Sequence, residues 1–249
     1  MQEKSAGVML ITGGGRGIGA ATARLAAARG YAVCVNYLKD RDAAEALVKE
    51  IGHGAIAVPG DVSVEADVLR LFETADAKLG RLTVLVNNAG IVATKSRVDM
   101  IGAARLQRMM AVNVVGAFLC AREAIKRMSK KHGGPGGAIV NVSSGAARLG
   151  SPGEWVDYAA SKGAIDTMTL GLSKELADDG IRVNCVRPGF VNTGIHAGAG
   201  EPNRIDRLRD SIPMKRGGEP EEVARAIVWL ASDEASYSTG ALLDVTGGR

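Results

Sequence analysis

The chain has 249 residues, of which 46% are hydrophobic and 23% charged, and a formal net charge of +4. This is the composition of a globular protein with a sizeable core, and its basic residues are scattered among acids rather than gathered on one face as in a nucleic-acid reader. No apolar run reaches the roughly 18 residues of a membrane span, residues 1–7 carry no apolar signal-peptide core, and Cys34, Cys120 and Cys185 are too dispersed for a metal set or a disulfide framework; a cytoplasmic protein without metal, membrane or nucleic-acid partners is expected.

The first strand is expected at 8–12 and leads into Thr12-Gly13-Gly14-Gly15-Arg16-Gly17-Ile18-Gly19. A helical pattern follows over 18–29. Glycines at such a turn let the backbone approach a pyrophosphate, and the helix N-terminus offers free N–H groups and a positive dipole end. The spacing is Gly-x-x-x-Gly-x-Gly rather than the strict Gly-x-Gly-x-x-Gly. Gly13, Gly15, Arg16, Gly17, Ile18 and Gly19 therefore form a candidate dinucleotide site.

The second strand, 32–36, ends at Asn36-Tyr37. An NAD site usually carries a carboxylate about 20 residues beyond the glycines, on the ribose 2′-hydroxyl. Here that place is Asn36, and Arg16 can pair with a 2′-phosphate. The expected cofactor is NADP, with NAD as the alternative. A helix at 41–51 precedes the third strand, 55–58, and Asp61-Val62 just beyond it can meet the adenine. After a helix at 65–79 and a strand at 82–86, Asn87-Asn88-Ala89-Gly90 leaves the same sheet edge.

A long helical pattern ends near Lys131, and a surface turn at 130–137 precedes the strand 138–142. The helix over 159–176 follows Tyr158, and Tyr158-Ala159-Ala160-Ser161-Lys162 places a phenol and an ammonium one turn apart on one face. A fixed ammonium there is expected to lower the Tyr158 pKa from about 10 toward the working range of a proton shuttle. After a strand at 182–186, residues 190–218 interrupt the alternation; a segment of that length beyond a strand's carboxyl end suits a lid. It carries His196, readable as a substrate contact or as a solvent-exposed loop residue. A helix at 221–231 and a strand at 241–244 complete the chain. This βα alternation, with nearly continuous apolar strands, predicts an α/β chain of one domain: a Rossmann fold whose doubly wound seven-stranded parallel sheet has helices on both faces.

The glycine turn, Asn87-Asn88-Ala89-Gly90, Asn113, Asn141-Val142-Ser143-Ser144, Tyr158-x-x-x-Lys162 and Arg187-Pro188-Gly189 stand in one order. In this the chain resembles the classical short-chain dehydrogenases/reductases over essentially its whole length. Within them it is similar to the bacterial glucose-dehydrogenase-like and 3-oxoacyl-reductase-like branch. The resemblance implies an oxidoreductase acting between NADP(H) and a carbonyl or secondary alcohol. Tyr158 would be its general acid and base, and Lys162 would bind the nicotinamide ribose as well as tune the tyrosine. Ser144 would hold the substrate oxygen, and Asn113 a water that relays protons. Ser144 stands one residue further from Tyr158 than is commonest in the family, which keeps Ser143 as the alternative. Pro188, Gly189, Val191 and Thr193 would run past the nicotinamide, and a homotetramer is implied. Glu154 and Trp155 are candidates for the substrate entrance, Trp155 equally for a subunit contact. The competing readings are a dinucleotide-binding regulatory or scaffolding protein without turnover, and a methyltransferase. Neither has a use for the Tyr-Lys pair.

Overall fold

A computed structural model describes residues 6–249. Residues 1–5, part of the polar stretch before the first strand, lie outside the described residues. The elements run β1 (Gly7–Ile11), α1 (Gly17–Ala28), β2 (Tyr31–Tyr37), α2 (Arg41–Ile51), β3 (Ile56–Pro59), α3 (Glu65–Leu79), β4 (Leu82–Asn87), α4 (Ala103–Met110), α5 (Gly116–Met128), β5 (Gly137–Val142), α6 (Ala146–Leu149), α7 (Val156–Glu175), β6 (Ile181–Pro188), α8 (Ile195–Gly198), α9 (Arg204–Leu208), α10 (Pro220–Ala231) and β7 (Leu242–Val245).

Apolar residues alternate sides along each strand and fill two cores. Val8 and Leu10 face α3, α5 and α7, among Phe72, Cys120 and Ile165. Met9 and Ile11 face α1, α2 and α10, among Ala23, Leu47 and Ile227. Both faces of the sheet are thus covered, which is why the strands read as unbroken apolar runs. The three cysteines are buried and unpaired.

The strand order is β3-β2-β1-β4-β5-β6-β7, and every pairing is parallel. The doubly wound seven-stranded sheet is as predicted. Its order reverses between β1 and β4, and ligands of such sheets bind outside the carboxyl ends of the strands at that reversal. Among the described residues no helix is long and apolar enough to cross a membrane.

One predicted helix is divided. The long pattern before β5 becomes α4 and α5, joined by a π-helical turn, Ala111–Val115. Such turns insert a residue into the α ladder and rotate a side chain off its helical position. Here they turn Asn113 inward, where it is 1% exposed.

Candidate active site

A cleft of about 1000 Å³ opens along the carboxyl edge of the sheet. It gathers every residue predicted for the site except Gly19 and Asn113, which stand behind its wall.

At β1 the turn is built for close approach. Gly13 (φ +60°) and Gly17 (φ +54°) adopt backbone angles that disfavour side chains. A Cβ at Gly19 would stand 2.6 Å from the Gly13 carbonyl and 2.7 Å from Asn88 Nδ2. Asn88 ties the turn to β4 by donating to the Thr12 and Gly13 carbonyls, both at 2.9 Å. Thr12, which the motif reading passed over, accepts from the N–H groups of Asn88 and Ala89. Only the packed sheet reveals that role, because it lies across a strand pair. The first turn of α1 has neither a capping side chain nor an acidic residue. Its N–H groups and dipole are thus left for an anion. Glycines that admit no Cβ, a bare helix start and the cleft beside them fit a nicotinamide dinucleotide.

Asn36 departs from expectation. Its side chain is 2% exposed. It accepts from the Gly13 N–H at 3.2 Å and donates to the Gly60 carbonyl at 3.0 Å. It therefore pins the glycine turn to the loop after β3. The cleft wall there passes to Tyr37, Leu38, Lys39 and Asp40. Asp40 accepts from the Ala43 N–H as the cap of α2. Asp61 lines the cleft but is bonded by Ser63 and by Arg108 at 2.9 Å. These bonds, set against burial, hold its carboxyl below the usual range.

At the centre, the two serines diverge as strand-end neighbours do. The Ser143 hydroxyl is buried and donates to the Lys162 carbonyl at 3.0 Å. Ser144 lines the cleft, accepts from the Ala146 N–H at 3.1 Å and hydrogen-bonds with the Tyr158 phenol. Burial raises the Tyr158 pKa, with the Ser144 bond opposing it. The expected lowering by Lys162 is therefore absent. Lys162 is 4% exposed and donates to the Val142 carbonyl at 2.7 Å, its Nζ 5.8 Å from the Tyr158 ring centre. Burial pulls its own pKa down to about 8, partly opposed by Asp166. An ammonium turned toward a carbonyl stabilises a phenolate less than the helical spacing alone suggests.

Asn113 is bonded throughout. Oδ1 accepts from the Ile91 N–H at 2.8 Å, and Nδ2 donates to the Ile91 carbonyl and to the Ser161 hydroxyl, both at 3.0 Å. The side chain fixes the loop after β4 against α7. A Cβ at Gly90 would lie between Lys162 Nζ at 3.4 Å and Asn113 Oδ1 at 3.5 Å.

Beyond β6, Pro188 and Gly189 pass under Thr246, which leaves no room for a Gly189 Cβ. Val191 bridges to Gly218, and Thr193 packs 3.2 Å from where a Gly17 Cβ would stand. The 190–218 segment starts and ends together, since the Gly218 N–H donates to the Phe190 carbonyl at 2.8 Å. The His196 side chain lies outside the described residues. Trp155 is 4% exposed within this chain, donates to the Ala93 carbonyl at 2.6 Å and lines the cleft with Glu154.

The family model described as Enoyl-(Acyl carrier protein) reductase matches residues 13–249. The uncharacterised oxidoreductase YgfF of Escherichia coli strain K12 is 56% identical over 245 residues, covering 97% of this chain and 99% of that protein. Glucose 1-dehydrogenase 2 of Bacillus subtilis strain 168 is 38% identical, over 96% of this chain and 93% of that one. The crystal structure of 3-ketoacyl-(acyl-carrier-protein) reductase from Brucella melitensis complexed with NADH superposes with a TM-score of 0.92, at 36% identity and 98% coverage of both chains.

Proposed function

The chain belongs to the classical short-chain dehydrogenase/reductase family, and from that premise we propose that it interconverts a carbonyl and a secondary alcohol with NADP(H), using Tyr158 as proton donor and acceptor. The observation that carries this reading is the Ser144–Tyr158 hydrogen bond at the cleft wall, with Lys162 one turn along the same helix. The glycine turn and Lys162 would hold a nicotinamide dinucleotide, which would supply or accept the hydride. Ser144 and Tyr158 donate to the substrate oxygen, and Tyr158 gives it a proton as that oxygen gains charge. Lys162 holds the ribose. Asn113 positions this group by fixing the Gly90-Ile91 backbone beside Lys162.

The test is NADPH consumption against a panel of ketones, quinones, sugars and oxoacyl thioesters. A dinucleotide-binding regulator would bind NADPH and consume none. The two serines give a sharper check. Ser144→Ala should lower kcat by roughly tenfold or more, as loss of an oxyanion donor does. Ser143→Ala should instead lower thermal stability, since its hydroxyl ties β5 to α7. The opposite assignment of effects would exchange the two roles.

NADP over NAD is supported by two cations beside the end of β2, and by the Asn36 amide being engaged by the Gly13 N–H and the Gly60 carbonyl. Arg16 and Lys39 are exposed, line the cleft and, among the described residues, make no side-chain hydrogen bond or ion pair. Asp40 at this edge accepts from the Ala43 N–H as the cap of α2. Arg16→Ala should raise the KM for NADPH by about tenfold, the loss of one charged contact, and leave the KM for NADH little changed. A wild-type preference for NADH would overturn the assignment.

We read the enzyme as a homotetramer. Leu106, Met110 and Phe118 stand 42–48% exposed along α4 and α5, an apolar face suited to a subunit contact. Light scattering of the purified protein measures the mass directly.

A further inference from the structure

Around Tyr158 the cleft is walled largely by apolar and aromatic side chains, including Leu149, Trp155, Phe190 and Leu208. Two guanidinium groups stand in this wall. Arg204 of α9 is 5% exposed. Its terminal nitrogens donate to the Glu154 carboxylate. Its guanidinium lies 4.1 Å from the Trp155 ring and 5.4 Å from that of Phe190, and its Nε is buried with no acceptor.

Arg249 approaches the same Phe190 ring at 4.9 Å. It donates to the Ser211 hydroxyl at 3.0 Å and has no side-chain carboxylate partner among the described residues. Among the described residues Glu154 is the one side-chain carboxylate lining this part of the cleft, and Arg204 holds it, with Arg207 at 4.0 Å. Lys95 and Arg207 meet Glu201 outside. The cationic groups therefore outnumber the carboxylates here, beside apolar walls that strengthen their field.

We propose that this end of the cleft selects substrates whose apolar body ends in a carboxylate, received by Arg249 beside the Arg204–Phe190 stack. The assignment rests on the oxidoreductase reading of the same cleft. A guanidinium matches a carboxylate through two parallel hydrogen bonds, and stacking on an aromatic face pre-organises it for them. A neutral sugar would leave the charge of Arg249 without an anion, and an uncharged hydrocarbon would bury it at a cost.

The test compares 4-oxo-4-phenylbutanoate and 5-oxo-5-phenylpentanoate with their methyl esters at saturating NADPH. The acids should be reduced at least about tenfold more efficiently than the esters, the loss expected when a charged hydrogen bond goes unmade. In Arg249→Met the acid-to-ester ratio of kcat/KM should fall toward one, and Arg249→Lys should keep part of it. A ratio near one in the wild type, or the same ratio in Arg249→Met, would overturn the proposal. Calorimetric titration with 4-phenylbutyrate, which has no carbonyl to reduce, reads the site without turnover. Binding to the NADPH-loaded wild type, weakened in Arg249→Met, supports the anion site even if no ketone is reduced. That result would sink the hydride-transfer reading alone. Equal binding to both proteins, or none to either, counts against the anion site.

Discussion

Replacing Tyr158 with phenylalanine is expected to lower kcat by at least about a hundredfold, the contribution of a positioned general acid, while NADPH still binds. The ring fills the same space and keeps its contacts, so only the proton and the Ser144 bond are lost. Fluorescence titration of NADPH together with steady-state kinetics separates the two outcomes. Unchanged turnover in Tyr158→Phe would sink the proton-transfer mechanism. The wild-type pH dependence follows from the raised Tyr158 pKa. Burial keeps the phenol protonated through neutral pH, so carbonyl reduction should persist there. Alcohol oxidation needs the phenolate and should gain with rising pH. A reduction rate already falling below neutral pH would contradict that sign.

Lys162→Met is expected to abolish turnover and yet stabilise the protein. Burial draws the Lys162 pKa from 10.5 to about 8. That displacement corresponds to about 3 kcal/mol of cost in keeping the ammonium inside at neutral pH. Methionine removes the charge and nearly conserves the volume. It also loses the bond to the Val142 carbonyl, which leaves a net gain of about 1–2 kcal/mol. The linkage has a definite sign. Between pH 8 and 10.5 the unfolded lysine holds its proton and the folded one has released it, so wild-type stability rises with pH across that window. Lys162→Met should show no such rise. Thermal unfolding of both proteins across the window measures it, and a variant less stable than wild type at neutral pH would refute the account. A group that costs stability where it sits, beside the proton donor, is typical of a site shaped for chemistry rather than for folding.

Much of this was legible in the sequence because its physics is local. The period of the apolar runs announced a parallel sheet covered on both sides, and 7 strands are present in the described chain. Glycines between a strand and a helix marked the turn, since the angles at Gly13 and Gly17 are properties of those residues themselves. The i, i+4 spacing placed Tyr158 and Lys162 on one face of α7.

What spacing could not carry was direction and environment. Asn36 stood at the correct distance from the glycines, but its amide is drawn inward by the Gly13 N–H and the Gly60 carbonyl, which meet only when β1, β2 and β3 pair. The π turn that brings Asn113 inward has no signature in the apolar pattern of its helix. Arg204 and Glu154 stand 50 positions apart and meet through the fold of the 190–218 segment.

By itself the amino-acid sequence determined the class of fold, the chain order of the site segments and the kinds of group available for chemistry. Each depends on backbone angles and periodicities within a few residues. The tertiary structure alone decided which atoms face the cleft, that burial rather than Lys162 governs the Tyr158 phenol, and that two arginines converge on Phe190. Those depend on desolvation and on contacts between distant segments, which exist only once the chain has packed.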